Sequence, residues 1–441
     1  MNQTNASVHP ITAILAQRAS GVKAGVYSAC TANHHVLYAV CKRAAETGGV
    51  ALIEATANQV NRYGGYTGMT PSDYVSFVHA IADEAGLDRK KLVLGGDHLG
   101  PLTWQSLDEA EAMQKSEELI RDYVRAGFTK IHIDTSMRVA TDSKTECLSD
   151  ETIARRGAAL ARAAEEEFAA LKAHCPDAMH PIYCIGSEVP IPGGAQEAED
   201  SVAVTSPEAF EHTVETFKRA FETAGADGAW PYVTGVVVQP GVEFGDEDVI
   251  EYNPEKAAAL IEALKRHPGI VFEGHSTDYQ TKWKLREMVR DGIAILKVGP
   301  ALTFALREGL FALAMMEEAL LPQHPELTPS NYIETMDSVM LENDGSWRKY
   351  YHGSPERQAF KRKYSYSDRC RYYLPDQRIG AAEKRLLENL DTMGIPLSLL
   401  SQYMPIQYTL VREGRLSCRA EALLTSRIEN CIDEYLFATA E

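Results

Sequence analysis

Eight short apolar, β-branched runs, each followed by a long helical pattern, constrain this chain more than any other feature. They are AGVYSAC (24–30), GVALIEA (49–55), KLVLGGD (91–97), TKIHIDTS (129–136), HPIYCIGSE (180–188), YVTGVVVQ (232–239), GIVFEGH (269–275) and GIAILKVG (292–299). The stretches between them, such as DEAEAMQKSEELIRDYVRAG and PEAFEHTVETFKRAFETAG, repeat apolar residues at helical spacing. An alternation that stops at eight predicts an α/β fold, a (β/α)8 TIM barrel, over residues 1–327. A doubly wound open sheet competes, but no G-x-G-x-x-G follows the first run. Beyond residue 327 the texture changes. NYIETMDSVMLEN, GAAEKRLLENLDTMG and RAEALLTSRIENCIDEYLF read as helices, so residues 328–441 are predicted to form a helical extension covering the barrel mouth.

Composition narrows the partners. Lys plus Arg is 44 and Asp plus Glu is 62, a formal net charge of −18, which argues against nucleic acid. The eight cysteines are scattered with no C-x-x-C pair, so reduced thiols are expected. No signal peptide and no membrane span is evident, and a cytoplasmic protein is expected.

In this fold the chemistry sits at the C-terminal ends of strands. Those positions carry Cys30 and Thr31, Glu54, Asp97 and His98, Asp134, Glu188, Gln239 with Glu243 just beyond, His275, and Lys297 with Gly299. Two histidines among several carboxylates on one rim suit a divalent metal, zinc or manganese. His98 and His275 are the expected ligands, with Glu243 or Gln239 completing the set and Glu188 in reserve. Asp97 and Asp134 are the proton-handling candidates, with Glu188 behind them, although Asp134 also reads as a cap of the next helix.

A basic, aromatic island, RKYYHGSPERQAFKRKYSYSDRCRYYLP (348–375), stands out in an acidic chain. It reads either as a solvated face or as a phosphate clamp made of Ser365, Ser367, Arg369 and Arg371. On a helix the two arginines would not share a face. Arg369 is then the favoured one, because it follows Ser367-Asp368.

The motifs GGDHLGP, IHIDTS, SEVPIPGGAQE, VVVQPGVEFG and FEGHSTD occur in the order and spacing of class II, metal-dependent ketose-bisphosphate aldolases. The whole chain, including KYSYSDRCRYYLP, resembles the GatZ/KbaZ family. The resemblance implies that Asp97 handles protons, that His98 and His275 bind zinc, and that Glu188 is catalytic. Ser276, beside His275 in GHST, is implied to touch substrate. The third aldolase histidine follows the sixth strand, where QPGVEFGD has none and Glu243 falls nearest. KVGPALT also replaces the aldolase Lys-x-Asn-x-x-Thr.

Some family members are described as non-catalytic partners of a class II tagatose-1,6-bisphosphate aldolase, and others resemble D-tagatose 6-phosphate 4-epimerases. An older kinase label finds no G-x-x-x-x-G-K-[ST] loop here. The C4 proton of a 2-ketose is not acidic, so C4 inversion needs either a nicotinamide or breakage of the C3–C4 bond. With no dinucleotide fingerprint, retro-aldol epimerisation of D-tagatose 6-phosphate to D-fructose 6-phosphate is the expected activity. The alternative is a stabilising subunit of an aldolase catalytic chain. A sugar phosphate is the expected small-molecule partner, and a homo-oligomer the expected assembly.

Overall fold

The computed structural model describes residues 8–188 and 202–440. Eight parallel strands close into a barrel: β1 Val26–Cys30, β2 Ala51–Thr56, β3 Leu92–Leu99, β4 Lys130–Ile133, β5 Ile182–Ile185, β6 Val233–Val238, β7 Val271–Gly274 and β8 Ile293–Val298. Each falls within or overlaps one of the eight expected runs, and each pairs with its sequence neighbours, β8 closing on β1. A short antiparallel ribbon, Glu243–Phe244 with Val249–Ile250, follows β6.

Eight helices follow the strands in turn: His34–Thr47, Pro71–Glu84, Glu109–Ala126, Asp150–His174, Pro207–Thr223, Pro254–Leu264, Lys282–Asp291 and Pro300–Leu320. Local chemistry sets their starts. Asn33, Thr70, Asp108, Ser149, Ser206, Asn253 and Thr281 each cap the helix that follows by accepting a backbone N–H. The eighth helix starts after Gly299, which has no side chain to offer.

Alternation along the strands sorts the residues. Ile53, Ile131, Ile133, Phe272 and Leu296 join the core shared with the helices. The inward face is layered. At the bottom, Val26, Leu52, Val93, Ile182, Val271 and Ile295 pack with Ile11 of the N-terminal helix Pro10–Ala16, which closes that end. One layer up the interior turns ionic. Lys130 Nζ lies 2.8 Å from Glu54 and 2.6 Å from Glu273, and Lys297 Nζ lies 2.6 Å from Glu54 and 2.8 Å from Asp97. All are buried, and such charges are tolerable only because each meets a partner. Gly95 makes the network possible, since a Cβ there would sit 2.6 Å from Glu54 Cγ.

The extension is helical among its described residues. Its last helix, Ala420–Thr439, lies along the Lys282–Asp291 and Pro300–Leu320 helices. Residues 365–372 instead reach the barrel mouth. Ser365 Oγ donates to Asp246 Oδ1 at 2.7 Å, and Tyr279 donates to the Tyr366 carbonyl at 2.6 Å.

Candidate metal and active site

Asp97 and His98 are adjacent, so in a regular strand only one could face inward. The pairing of β3 with β4 shifts register between Gly96 and Leu99, and His98 adopts φ +49°. This irregularity at the strand end brings both side chains to the interior. A left-handed imidazole residue is costly, and such outliers concentrate at functional sites.

Four buried side chains meet there: Asp97, His98, His132 and His275 each offer a ligand atom, and these atoms lie within 4.8 Å of one another. The imidazole rings form a near-equilateral triangle with centroids 4.9, 5.0 and 5.0 Å apart. Each ring has one nitrogen against a carboxylate. His98 Nδ1 is 2.7 Å from Asp134, His132 Nδ1 is 2.9 Å from Asp97, and His275 Nε2 is 3.0 Å from Glu273. His132 Nε2 is buried and has no hydrogen-bond partner. Carboxylates behind imidazoles, with the remaining nitrogens free to converge, are the usual support of a metal-binding histidine set.

The electrostatics fit a cation. Burial opposes charge on Asp97, yet Lys297 and His98 hold its carboxyl well below the usual range. Asp134 is lowered likewise, its burial outweighed by the His98 bond. Burial opposes a charged His98, but the Asp97 charge and the Asp134 bond raise its pKa. Burial drives His275 down to about 3 against the Glu273 bond, which keeps this imidazole neutral and able to donate a lone pair. The buried interior holds four carboxylates, Glu54, Asp97, Asp134 and Glu273, against two ammonium groups, Lys130 and Lys297, an excess of two acidic groups over basic ones when the histidines are left out. A divalent ion would cancel that excess.

His132 was not among the expected ligands. In KIHID every second residue is polar, so Lys130 and His132 share one inward face, and reading only the strand's end passes over it. Glu273 stands likewise two residues before His275. The third imidazole beside His98 and His275 is that of His132 on β4, two strands from β6, after which Gln239 and Glu243 follow. Gln239 Oε1 accepts the Gly241 and Val242 N–H groups of its own turn, and Glu243 Oε1 accepts the Phe244 N–H. Glu188 is exposed and accepts from Thr205 Oγ1 at 2.6 Å, while its neighbours Gly193 and Gly194 lie outside the described residues. Asp134 is fully buried between His98 and Ser136, so its position orients His98.

A cavity of about 110 Å³ opens above the cluster, lined by Asp97, His98, His275, Ser276, Lys297 and Arg371 among others. Arg371, not Arg369, is the arginine at this wall. The two stand in a tight 3-10 turn, Arg369–Tyr372, and diverge. Arg369 lies over the Tyr350 ring, 3.0 Å from its centroid, and donates to the Ser346 carbonyl. Ser365 and Ser367 are buried and bonded to Asp246, Tyr351 and each other, and neither lines this cavity.

Fold and site together define a (β/α)8 barrel with a three-histidine, carboxylate-supported centre on its C-terminal rim. The chain belongs to the family described as D-tagatose-1,6-bisphosphate aldolase subunit GatZ/KbaZ-like, whose model matches residues 11–440. It is similar to the crystal structure of a probable tagatose 6 phosphate kinase from Sinorhizobium meliloti 1021, with 45% identity and a TM-score of 0.84 over 94% of this chain and 100% of that one. The YdjI aldolase from Escherichia coli K12 is 13% identical over 87% of this chain and 97% of that one, with a TM-score of 0.42. Fructose-bisphosphate aldolase from Campylobacter jejuni is 13% identical over 86% and 91%, with a TM-score of 0.40. The last two likenesses are too distant to carry any argument about chemistry.

Proposed function

We propose that this protein epimerises a ketose 6-phosphate at C4, interconverting D-tagatose 6-phosphate and D-fructose 6-phosphate by retro-aldol cleavage and re-addition. The observation that carries this reading is the triangle of buried imidazoles, each backed by a carboxylate, under a cavity walled by Asp97, Lys297 and Arg371. His98, His132 and His275 would hold a divalent ion, zinc or manganese, which supplies Lewis acidity toward a sugar oxygen. Asp97, ionised and at the wall, accepts the C4 hydroxyl proton as the C3–C4 bond breaks and its electron pair moves onto the ketone-bearing fragment. Lys297, 2.8 Å from Asp97, fixes that carboxylate and balances its charge. The aldehyde fragment turns its other face, the C3–C4 bond re-forms, and Asp97 returns the proton to the new C4 oxygen. Asp134 and Glu273 hold the imidazoles in orientation throughout. The S. meliloti neighbour's description also refers to tagatose 6-phosphate, which supports that ligand.

A second reading is favoured by the family's description as an aldolase subunit: a supporting partner of a class II aldolase catalytic chain. One experiment separates the two. The purified chain, metal-loaded and free of nicotinamide, is incubated with either sugar phosphate and followed by NMR. Interconversion by this chain alone is expected. A chain inert alone, which raises the activity or stability of an aldolase catalytic subunit, would establish the second reading instead.

A further inference from the structure

Seven of the eight ring helices start on a cap residue of their own, and the eighth borrows one. Asp278, in the loop after β7, reaches the start of the Pro300–Leu320 helix. Its Oδ1 accepts from the Gly299 N–H at 3.0 Å and the Ala301 N–H at 2.8 Å. Asp278 is only 3% exposed and lines the same cavity as His98, His275 and Lys297. Burial pushes its carboxyl up to about 6 against those backbone bonds.

In barrels of this type the loops after the seventh and eighth strands, with a helix N-terminus between them, are a frequent phosphate seat. Free N–H groups and the helix dipole favour an anion there. In this chain the anion in that seat is a side chain. Meanwhile Arg371 is a half-buried guanidinium that makes no ion pair with a carboxylate among the described residues, although the charges of Asp368 and Asp278 lie within its field. It donates to the Ser367 and Asp368 carbonyls and to the Tyr372 hydroxyl. It shares the cavity above the histidines with Gln59 and Tyr66 of the loop after β2, and also lines an adjoining hollow of about 270 Å³. A guanidinium at a cavity wall that makes no ion pair of its own suits an anionic ligand.

Building on the ketose-phosphate reading above, we propose that Asp278 is a specificity determinant. It fills the phosphate seat at the Pro300–Leu320 helix, so the cavity takes a ketose with one phosphate, held at Arg371, and turns away one with phosphates at both ends. A second phosphate would have to displace the carboxylate from its two N–H groups or lie against it, and like charges that close repel. A free hydroxymethyl group meets no such penalty, because its O–H can donate to an acceptor at that wall.

The test is calorimetric binding of D-fructose 6-phosphate and D-fructose 1,6-bisphosphate to the full chain, to Asp278→Asn and to Asp278→Ala. The native chain is expected to prefer the monophosphate by roughly tenfold or more. Asp278→Ala empties the seat and should tighten the bisphosphate by about the same factor. Asp278→Asn keeps an oxygen on both N–H groups without the charge, so it should retain native thermal stability and show a smaller gain. A native chain that binds the two sugars equally overturns the assignment. So does unchanged discrimination in both variants when Asp278→Asn melts like the native chain. If neither sugar binds the native chain, the ketose-phosphate reading itself falls, and the assignment with it.

Discussion

At the scale of single residues the site rests on pairs: each imidazole faces inward because a carboxylate holds its far nitrogen. His132→Ala is therefore expected to lose most bound divalent metal, measured by elemental analysis of protein purified without chelator, while Gln239→Ala retains it. Metal retained in full by His132→Ala would return the third position to Glu243 or Gln239. Asp134→Asn keeps the shape but weakens the hold on His98. It should lower metal affinity by roughly 10–100-fold without abolishing binding, read by competition with a chelator of known affinity. Asp97, His98 and His275 were legible in the sequence because each stands where an apolar run ends. His132 and Glu273 were not, because they lie inside strands, where polarity shows only as a period of two. The irregular pairing at Asp97-His98 left no mark beyond two glycines, which have many other uses.

At the scale of elements, the extension's contribution was legible as composition and not as direction. A basic aromatic island reads as a solvated face or an anion site, and which arginine faces the cavity depends on a four-residue turn and on contacts with Asp246 and Tyr279, distant in sequence. Arg371→Met is expected to raise KM for the phosphorylated ketose by roughly ten- to a hundredfold, with little change on the unphosphorylated sugar. Arg369→Met should leave KM alone and lower the melting temperature, since it loses the stacking on Tyr350. Equal KM effects from both arginines would place the phosphate elsewhere. The N-terminal helix gives a pH prediction. Burial lowers His9 to about 4 against a bond with Thr129, so the folded state favours the neutral ring. That contribution is complete above the unfolded value near 6.5 and is lost as pH falls toward 4. Between pH 7 and pH 5 the native chain should lose about 1–2 kcal/mol through this group, and His9→Asn correspondingly less, by urea unfolding at each pH.

At the scale of the whole molecule, the eight runs foretold the eight strands because strand alternation and helix capping are local and leave a repeated signature. The charged layer inside the barrel was the less visible part. Lys130 and Glu273 each look unremarkable alone, and only barrel closure brings them to 2.6 Å. A cation that neutralises this layer binds the folded chain alone. Chelation should therefore lower the melting temperature, and restored zinc or manganese should recover it, by an amount that grows with free metal concentration. A melting temperature indifferent to both treatments would show that the layer is stable without a bound cation, a protonated His98 then offsetting one of its two excess charges.

The turn that carries Arg371 comes from outside the barrel, in a stretch of chain that contributes nothing to the histidine triangle. On the reading proposed above, the arginine that would hold the phosphate and the histidines that would hold the metal are encoded in separate passages of the sequence. An evolving lineage could exchange the loop between residues 365 and 375 and try a new sugar while the reactive machinery stayed intact. Laboratory redesign has the same freedom: libraries confined to this turn vary what is admitted while leaving the histidines and their carboxylates in place.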